Sequence, residues 1–480
     1  MEDNPIARRG FWLASLTVLP LLVWWLGWFP GFLSPDSVDQ LDQVATGDFI
    51  NGHPAFHTIT MWLITRVWDH AGAVSLVQVV ALALVLGLVV RRLVEIGVPL
   101  WLGVGTAWLV GLLPAVGPTA ITLWKDVAFT VAFLWVFAEL LQIVRLRDAY
   151  WWDAGRPVRL GAALSLVWLF RHNGLLTSLV VVTVLAVVNR KHIYRLAPTV
   201  LTLFAIVLLV QGPLYWVFSV DRSGKPAAAE VLIPVVASSF VHEPENFDES
   251  ELRLLQSIAP LEVWESRYDC DAADPLLFAP ELNIEAIRSD PSPFLRLGVR
   301  TFVRDLDTSL GLYWCRASYL FVPSQPDDAY LHRPPFAIAE NNQGLTREPV
   351  WSPAFDMTRW VFRNAESDGW LWLTWRPALA IWAMIATYAA AARRARVLLI
   401  PGTLVAIHLL NVAATSLNHE FRLAFPLYVT AFMSLPLWWF VRYPERLSQA
   451  EGSVESPRRT LLDDDVAAVR IGQRDVEGIE

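Results

Sequence analysis

Charged residues are scarce in this sequence, and cysteines are scarcer still. Charged residues make up 18% of the 480 positions and only two cysteines occur, whereas 55% of the residues are hydrophobic. A soluble chain usually has about a quarter of its residues charged and no long uncharged runs. Because such runs recur here, we predict a polytopic membrane protein. The net charge of −8 comes largely from residues 240–310 and the C-terminal tail, and it does not indicate a nucleic-acid partner.

Ten apolar stretches predict an all-α protein with about ten membrane helices. They lie near residues 10–29, 71–90, 98–116, 127–144, 160–171, 174–188, 197–219, 370–391, 397–417 and 424–441. Arginine and lysine clusters in the connections share one side with Arg8 and Arg9, and such a side is cytoplasmic. We therefore predict a multi-pass protein of the plasma or inner membrane with both termini in the cytoplasm.

The stretch 160–188 decides this count. It is too short for two full spans of about 20 residues each, but a single span would place Lys191 and every later basic cluster outside. A hairpin of two short helices keeps the charge rule and puts Arg171, His172 and Asn173 at its outer tip. Polar backbone at membrane depth is tolerated where it lines a cavity in the protein. The tip is therefore a candidate functional site.

The topology divides the chain into four parts. We predict an N-terminal membrane module over 1–219, in which the outer loop 30–70 is polar and then amphipathic. Residues 220–369 are too many for a simple loop and predict an α or mixed extracytoplasmic domain. Residues 370–445 hold the last membrane helices, and the polar tail 446–480 is predicted to be disordered.

Both cysteines, Cys270 and Cys315, fall in the predicted extracytoplasmic domain. Disulfides form and persist on that side of a membrane. A disulfide between them and a pair of buried thiols are both compatible with the sequence.

Ionisable residues collect in the short outer connections. The first connection reads SPDSVDQLD over 34–42 and NGHPAFHT over 51–58. Asp36, Asp39 and Asp42 share a three-residue spacing, so they can line one face of a helix that starts at Pro35. We interpret Asp39 and Asp42 as solvated, whereas Asp36 either caps this helix or belongs to a site.

The order of these motifs resembles the GT-C superfamily of membrane glycosyltransferases. The likeness is to the bacterial branch related to protein O-mannosyltransferases and to the lipid A aminoarabinose transferase. Those proteins carry an Asp-Glu pair, a His-Pro-Pro-Leu-like stretch, a second acidic site before the fourth helix and an Arg-Tyr-x-x-Pro-like stretch. The corresponding positions here are Asp36-Ser37, His53-Pro54-Ala55-Phe56, Trp124-Lys125-Asp126 and Glu420-Phe421-Arg422 with Pro426.

The resemblance implies sugar transfer from a polyprenyl-phosphate donor to a lipid or glycan acceptor of the cell envelope, outside the membrane. Asp36 would be the general base for the acceptor hydroxyl, and Asp126 would position the acceptor or a cation. Positive charge must stabilise the leaving phosphate. The candidates for binding the lipid phosphate or the acceptor are Lys125, Arg171, Arg422, His53, His57, His172, Asn173 and Glu420.

A metal is not assigned from the sequence. The glutamate of the family's first pair is Ser37 here, although a divalent cation, Mg²⁺ or Mn²⁺, is compatible with the chemistry. Lys125 with Asp126, and Glu420 with Arg422, can also be simple structural pairs.

Two other functions use the same residue types. A lipid or oligosaccharide flippase or transporter usually shows internal repeats with broken helices, and we find no repeat. A glycan ligase or polymerase with a diphosphate-linked donor would use the same arginines and histidines. No Gly-rich phosphate loop occurs on the cytoplasmic side, which disfavours a nucleotide-sugar donor.

Overall fold

The fold is helical almost throughout. The computed structural model describes residues 4–222, 227–326, 331–335 and 337–447. Across these ranges the only paired strands are β1 (Leu331–His332) and β2 (His419–Glu420), which run parallel. The predicted all-α class is confirmed. From residue 448 onward, the predicted disordered tail lies outside the described residues.

Twelve α-helices precede the first gap. They are α1 (Pro5–Ser15), α2 (Val18–Gly27), α3 (Pro35–Thr46), α4 (Ala55–Thr65), α5 (Ala71–Glu95), α6 (Leu100–Leu112), α7 (Val116–Ile121), α8 (Lys125–Leu146), α9 (Gly155–Phe170), α10 (Gly174–Val188), α11 (Ala197–Leu209) and α12 (Tyr215–Val217). The break between α1 and α2 is due to Pro20, which has no N–H to bond the Leu16 carbonyl. That carbonyl accepts from the Leu19 N–H at 2.9 Å instead.

Thirteen α-helices follow in the second half of the described chain. They are α13 (Ala227–His242), α14 (Glu249–Ile258), α15 (Leu261–Ser266), α16 (Asp274–Leu277), α17 (Ile284–Ser289), α18 (Pro291–Arg304), α19 (Leu306–Ala317), α20 (Ser352–Ala365), α21 (Asp368–Thr374), α22 (Ala378–Arg394), α23 (Leu399–Thr415), α24 (Phe421–Ser434) and α25 (Trp439–Arg442).

Six helical stretches of the described chain are long and apolar enough to cross a membrane. They are Pro5–Gly27, Ala71–Glu95, Lys125–Trp152, Arg190–Val217, Arg396–Thr415 and Phe421–Arg442. Two more predicted spans are the shorter apolar helices α6 and α10. The last two, near 160–171 and 370–391, correspond to α9 and α22, which have 16 and 17 residues and carry arginines near one end. The protein is multi-pass, and the count of ten spans stays a prediction.

The predicted hairpin is present as α9 and α10. Only Arg171, His172 and Asn173 separate the two helices. The Gly174 N–H donates to the Arg171 carbonyl at 2.9 Å, which closes the turn. A Cβ at Gly174 would collide with the Val167 carbonyl oxygen, so glycine permits this close approach.

The described residues form two large apolar cores and a third, small one around α3 and α4. The larger is built from the spanning helices, where α5 packs on α1 and α8, and α8 packs on α9 and α24. A smaller core encloses Trp264 between α13, α14 and α18. Tyr319, Leu320 and Phe362, from the end of the predicted outer domain, are buried in the larger core. The domain boundaries at 220 and 369 stay predictions.

Candidate active site

The start of α3 is fixed against the start of α8. Helix α3 begins at Pro35, as predicted, and its cap is Ser34, whose Oγ accepts from the Ser37 N–H at 3.3 Å. Ser37 Oγ then donates to the Leu123 carbonyl at 2.9 Å, and the Trp124 indole donates to Ser34 Oγ at 2.8 Å. These bonds place Asp36, one residue past Pro35, beside the first turn of α8. Asp36 is not the helix cap.

Asp36 is paired with an arginine from the far end of the chain. Arg422, at the start of α24, donates from Nη1 to Asp36 Oδ2 at 2.7 Å. Its Nε donates to Glu420 Oε2, also at 2.7 Å. The structural pair of Glu420 and Arg422 therefore exists, and the same guanidinium also reaches Asp36.

His53 connects Asp36 with Lys125. Lys125 Nζ lies 2.7 Å from His53 Nδ1, and His53 Nε2 lies 3.7 Å from Asp36 Oδ1. An ammonium group has only donors, so Nδ1 accepts and the ring proton sits on Nε2, facing the carboxylate.

The electrostatics of Asp36 and His53 keep the first anionic and the second neutral. Burial raises the pKa of the Asp36 carboxyl, but the neighbouring charges, of which Arg422 has the largest effect, and the Arg422 hydrogen bond together lower it more, so the net pKa is well below the usual range. Burial, followed by the charge of Lys125, lowers the pKa of His53 to about 3.

The hairpin tip forms a second ion pair. The Arg171 guanidinium contacts the Asp126 carboxylate, whose side chain is 2% exposed. Arg171 Nε also donates to Asn173 Oδ1 at 3.3 Å. From α23, Asn411 Nδ2 donates to the Asn173 carbonyl at 2.8 Å and holds the tip in place. Lys125 and Asp126, although adjacent in sequence, thus take different partners.

His57 and His172 lie at the edge of this cluster. The His172 residue is exposed, and partial desolvation of its ring, followed by the charge of Lys125, lowers its pKa. His57 is 2% exposed, and its Nδ1 lies 2.8 Å from Gln40 Oε1. Burial, followed by the charge of Lys125, lowers the pKa of His57 to about 3.

We expect the protein to lose stability on acidification because of His57. Between its pKa of about 3 in the fold and about 6.5 in the unfolded chain, the unfolded chain binds the extra proton. Stability therefore falls as the pH drops, by about 2 kcal/mol from pH 7 to pH 5. His57→Asn keeps a donor toward Gln40 and should reduce this loss by that amount, measured as the free energy of unfolding in mixed micelles. An equal loss in the variant would contradict the prediction.

The carboxylates of the cluster do not form a ready metal site. Arg422 and His53 occupy the two oxygens of Asp36, and Arg171 contacts Asp126. The one group of three potential ligands found in the described ranges is Cys270, Asp271 and Cys315. Its two sulfur atoms are bonded to each other as a disulfide. A divalent cation, which the sequence leaves unassigned, is not tested by this geometry and enters no step below.

Sequence reasoning missed a second layer around Glu420. His419 is fully buried, with Nε2 2.9 Å from Asp271 Oδ1. Asn418 and Arg376, both buried, flank it. The only sequence signal was the position of Asn418 and His419 directly before the Glu420 motif, and Asp271 and Arg376 carried none.

Residues 60–279 match one protein-family model, which is described as a family of unknown function, DUF6020. No curated protein matches the chain. The matched range includes α5 to α16 and the hairpin tip but excludes Asp36, His53 and Arg422.

Two solved structures are similar to the chain. One is the protein O-mannosyltransferase Pmt1–Pmt2 complex of S. cerevisiae bound to the sugar donor, with 16% identity and a TM-score of 0.38, covering 47% of this chain and 35% of that chain. The other is ArnT from Cupriavidus metallidurans bound to undecaprenyl phosphate, with 17% identity and a TM-score of 0.34, covering 90% of this chain and 77% of that chain. The chain thus spans about a third of the mannosyltransferase chain. Both are GT-C membrane glycosyltransferases, the superfamily that the sequence motifs resemble.

Proposed function

We propose that the protein is a membrane glycosyltransferase that moves a sugar from a polyprenyl-phosphate donor to a lipid or glycan acceptor of the cell envelope. The proposal rests on the convergence of Asp36, Lys125, Arg171 and Arg422 from four separate segments of the chain. Such ionisable groups near membrane depth are costly and mark functional sites.

The state of Lys125 carries the proposal. Arg422 and Arg171 each contact carboxylates, but across the described part of the chain no carboxylate lies within ion-pair distance of Lys125. Its ammonium is half-buried and meets only the neutral ring of His53. A half-buried cation with a neutral partner favours an anionic ligand, and the phosphate of a polyprenyl-phosphate sugar supplies the missing charge.

The proposed reaction uses these groups as follows. The acceptor oxygen attacks the anomeric carbon, the bond from that carbon to the phosphate oxygen breaks, and the phosphate leaves with the electron pair. Lys125, with Arg422 and Arg171 nearby, stabilises the charge that develops on the phosphate. Asp36 takes the acceptor proton.

The low pKa of Asp36 makes it a weak base while Arg422 is its partner. A bound phosphate is a second anion for Arg422, so donor binding weakens the pull of this guanidinium on Asp36. The carboxylate then becomes more basic when the donor is in place. His53, neutral and held by Lys125, directs its Nε2–H toward the same carboxylate.

Binding of undecaprenyl phosphate to the purified protein tests the proposal. We expect wild type to bind it, and Lys125→Ala to weaken binding by about tenfold or more, since a hydrogen bond to a charged group contributes about 1.5–3 kcal/mol. Lys191→Ala, an exposed lysine at the start of another span, is the matched control and should bind as wild type does.

Three outcomes would contradict this function. Equal affinity of wild type and Lys125→Ala for undecaprenyl phosphate would show that Lys125 does not bind the phosphate. Clear preference for undecaprenyl diphosphate over the monophosphate would favour the ligase or polymerase, and lipid movement between leaflets without sugar transfer would favour the flippase.

A further inference from the structure

We infer that Asn418 and His419 are positioning residues through which the outer loop 270–274 sets the geometry of the Arg422–Asp36 pair. The inference rests on the proposed function, because the pair is assigned there to the donor site. It assigns a role to the loop, to its disulfide and to two buried side chains that the proposed reaction does not use.

Asn418 uses its whole side chain to join the loop to Glu420. Its Oδ1 accepts from the N–H groups of Ala273 and Asp274, at 2.8 and 3.2 Å. Its Nδ2 donates to Asp274 Oδ1 and to Glu420 Oε1, both at 2.9 Å. The side chain is 2% exposed, so water cannot easily replace these bonds.

His419 adds a second connection one residue later. Its N–H donates to the Asp271 carbonyl at 3.1 Å, and its Nε2 lies 2.9 Å from Asp271 Oδ1. The loop is itself tied to α19, because Cys270 is bonded to Cys315 with the Cα atoms 5.9 Å apart. The loop and the segment before α24 therefore form one braced unit.

Glu420 connects this braced unit to the Arg422–Asp36 pair. One of its oxygens accepts from Asn418 and the other from Arg422, which also holds Asp36. A carboxylate fixed at both oxygens holds the guanidinium in one place, whereas loss of the Asn418 bond frees Glu420 to rotate. Groups that bind a ligand depend on such supporting bonds for their precise placement.

The first test is Asn418→Ala in the full-length protein, with undecaprenyl phosphate as the probe. We expect its affinity to fall by about five- to tenfold, the usual size of coupling between connected sites. The matched control is Asn283→Ala, which removes an exposed cap of α17 in the same outer region. This control should bind as wild type does.

Reduction of the disulfide provides a second arm that needs no variant. Reductant should weaken binding about fivefold in wild type but less than twofold in Asn418→Ala, since both changes act on one connection. If Asn418→Ala does not fold, the effect of reductant on the affinity of wild type still tests the inference.

Asn418→Asp separates positioning from general structural support. It places a third carboxyl between Asp274 and Glu420, and neighbouring like charges raise its pKa. Protonation then restores a donor toward Glu420, so the dissociation constant of the variant relative to wild type should fall from pH 8 to pH 5. A ratio that does not change with pH overturns the inference.

The same experiments separate the proposed function from the positioning role of Asn418 and His419. If wild type does not bind undecaprenyl phosphate, the proposed function is wrong and the inference falls with it. If wild type binds and Lys125→Ala does not, but neither Asn418→Ala nor reductant changes affinity, only the positioning role is wrong.

Discussion

Asp36→Asn is expected to reduce sugar transfer by about 10²–10⁴-fold, the usual contribution of a general base. Asparagine has nearly the same shape but cannot take the acceptor proton. Undecaprenyl phosphate should still bind, and more tightly than to wild type, because a negative charge beside the phosphate is removed. Turnover is measured as release of undecaprenyl phosphate from polyprenyl-phosphate-sugar donors.

Asp39→Asn is the matched control for this change. Asp39 lies one turn further along α3, is exposed, and accepts from Gln43 Nε2 at 2.8 Å. Its replacement should leave transfer within about twofold of wild type, since exposed polar groups contribute little. Retained turnover in Asp36→Asn would end the assignment of Asp36 as the base.

Arg171→Ala is expected to destabilise the protein by about 3–5 kcal/mol, because it leaves a buried carboxylate without its partner. Asp126, at 1% exposure, has no access to water that could replace the guanidinium. Adding Asp126→Asn to Arg171→Ala should restore most of the free energy of unfolding. It should not restore undecaprenyl phosphate affinity, because the cation is still missing.

A second pair with a buried carboxylate provides the control. Arg159 Nε lies 3.2 Å from Glu139 Oε1; Glu139 is 1% exposed, but the Arg159 side chain is 42% exposed. Arg159→Ala should destabilise the protein less than Arg171→Ala does, because Glu139 keeps the hydrogen bond from the Tyr150 hydroxyl, and it should not affect undecaprenyl phosphate binding. If Arg171→Ala with Asp126→Asn binds the lipid as wild type does, Arg171 has only a structural role.

Sequence patterns predicted the helical class and the hairpin because both depend on local signals. Apolar runs mark helices, and basic clusters mark sides, so the short stretch 160–188 had to turn back. The number of membrane spans was harder to predict from the sequence. Helices α9 and α22 are short for a span, and only their packing decides how deeply they lie in the membrane. The count of ten therefore stays a prediction.

Apart from Glu420 with Arg422, the pairings within the site could not be predicted. Sequence grouped Lys125 with Asp126, but neighbouring residues on a helix point in different directions, and each takes a partner from another segment. The link from Asp36 to Arg422 joins residues far apart in the chain, which no local pattern reports. The role of Asn418 depends on a loop that lies well over a hundred positions earlier.

The connection of Asp36 to Arg422 also has a consequence for biogenesis. Asp36 enters the membrane with the first segments, whereas its partner arrives only with the last span, Phe421–Arg442. Until then, the Asp36 carboxylate lacks its guanidinium partner. Chains that stall before this span should therefore neither bind the lipid nor turn it over. Under the proposed function, the site is therefore complete only after the last span has been inserted.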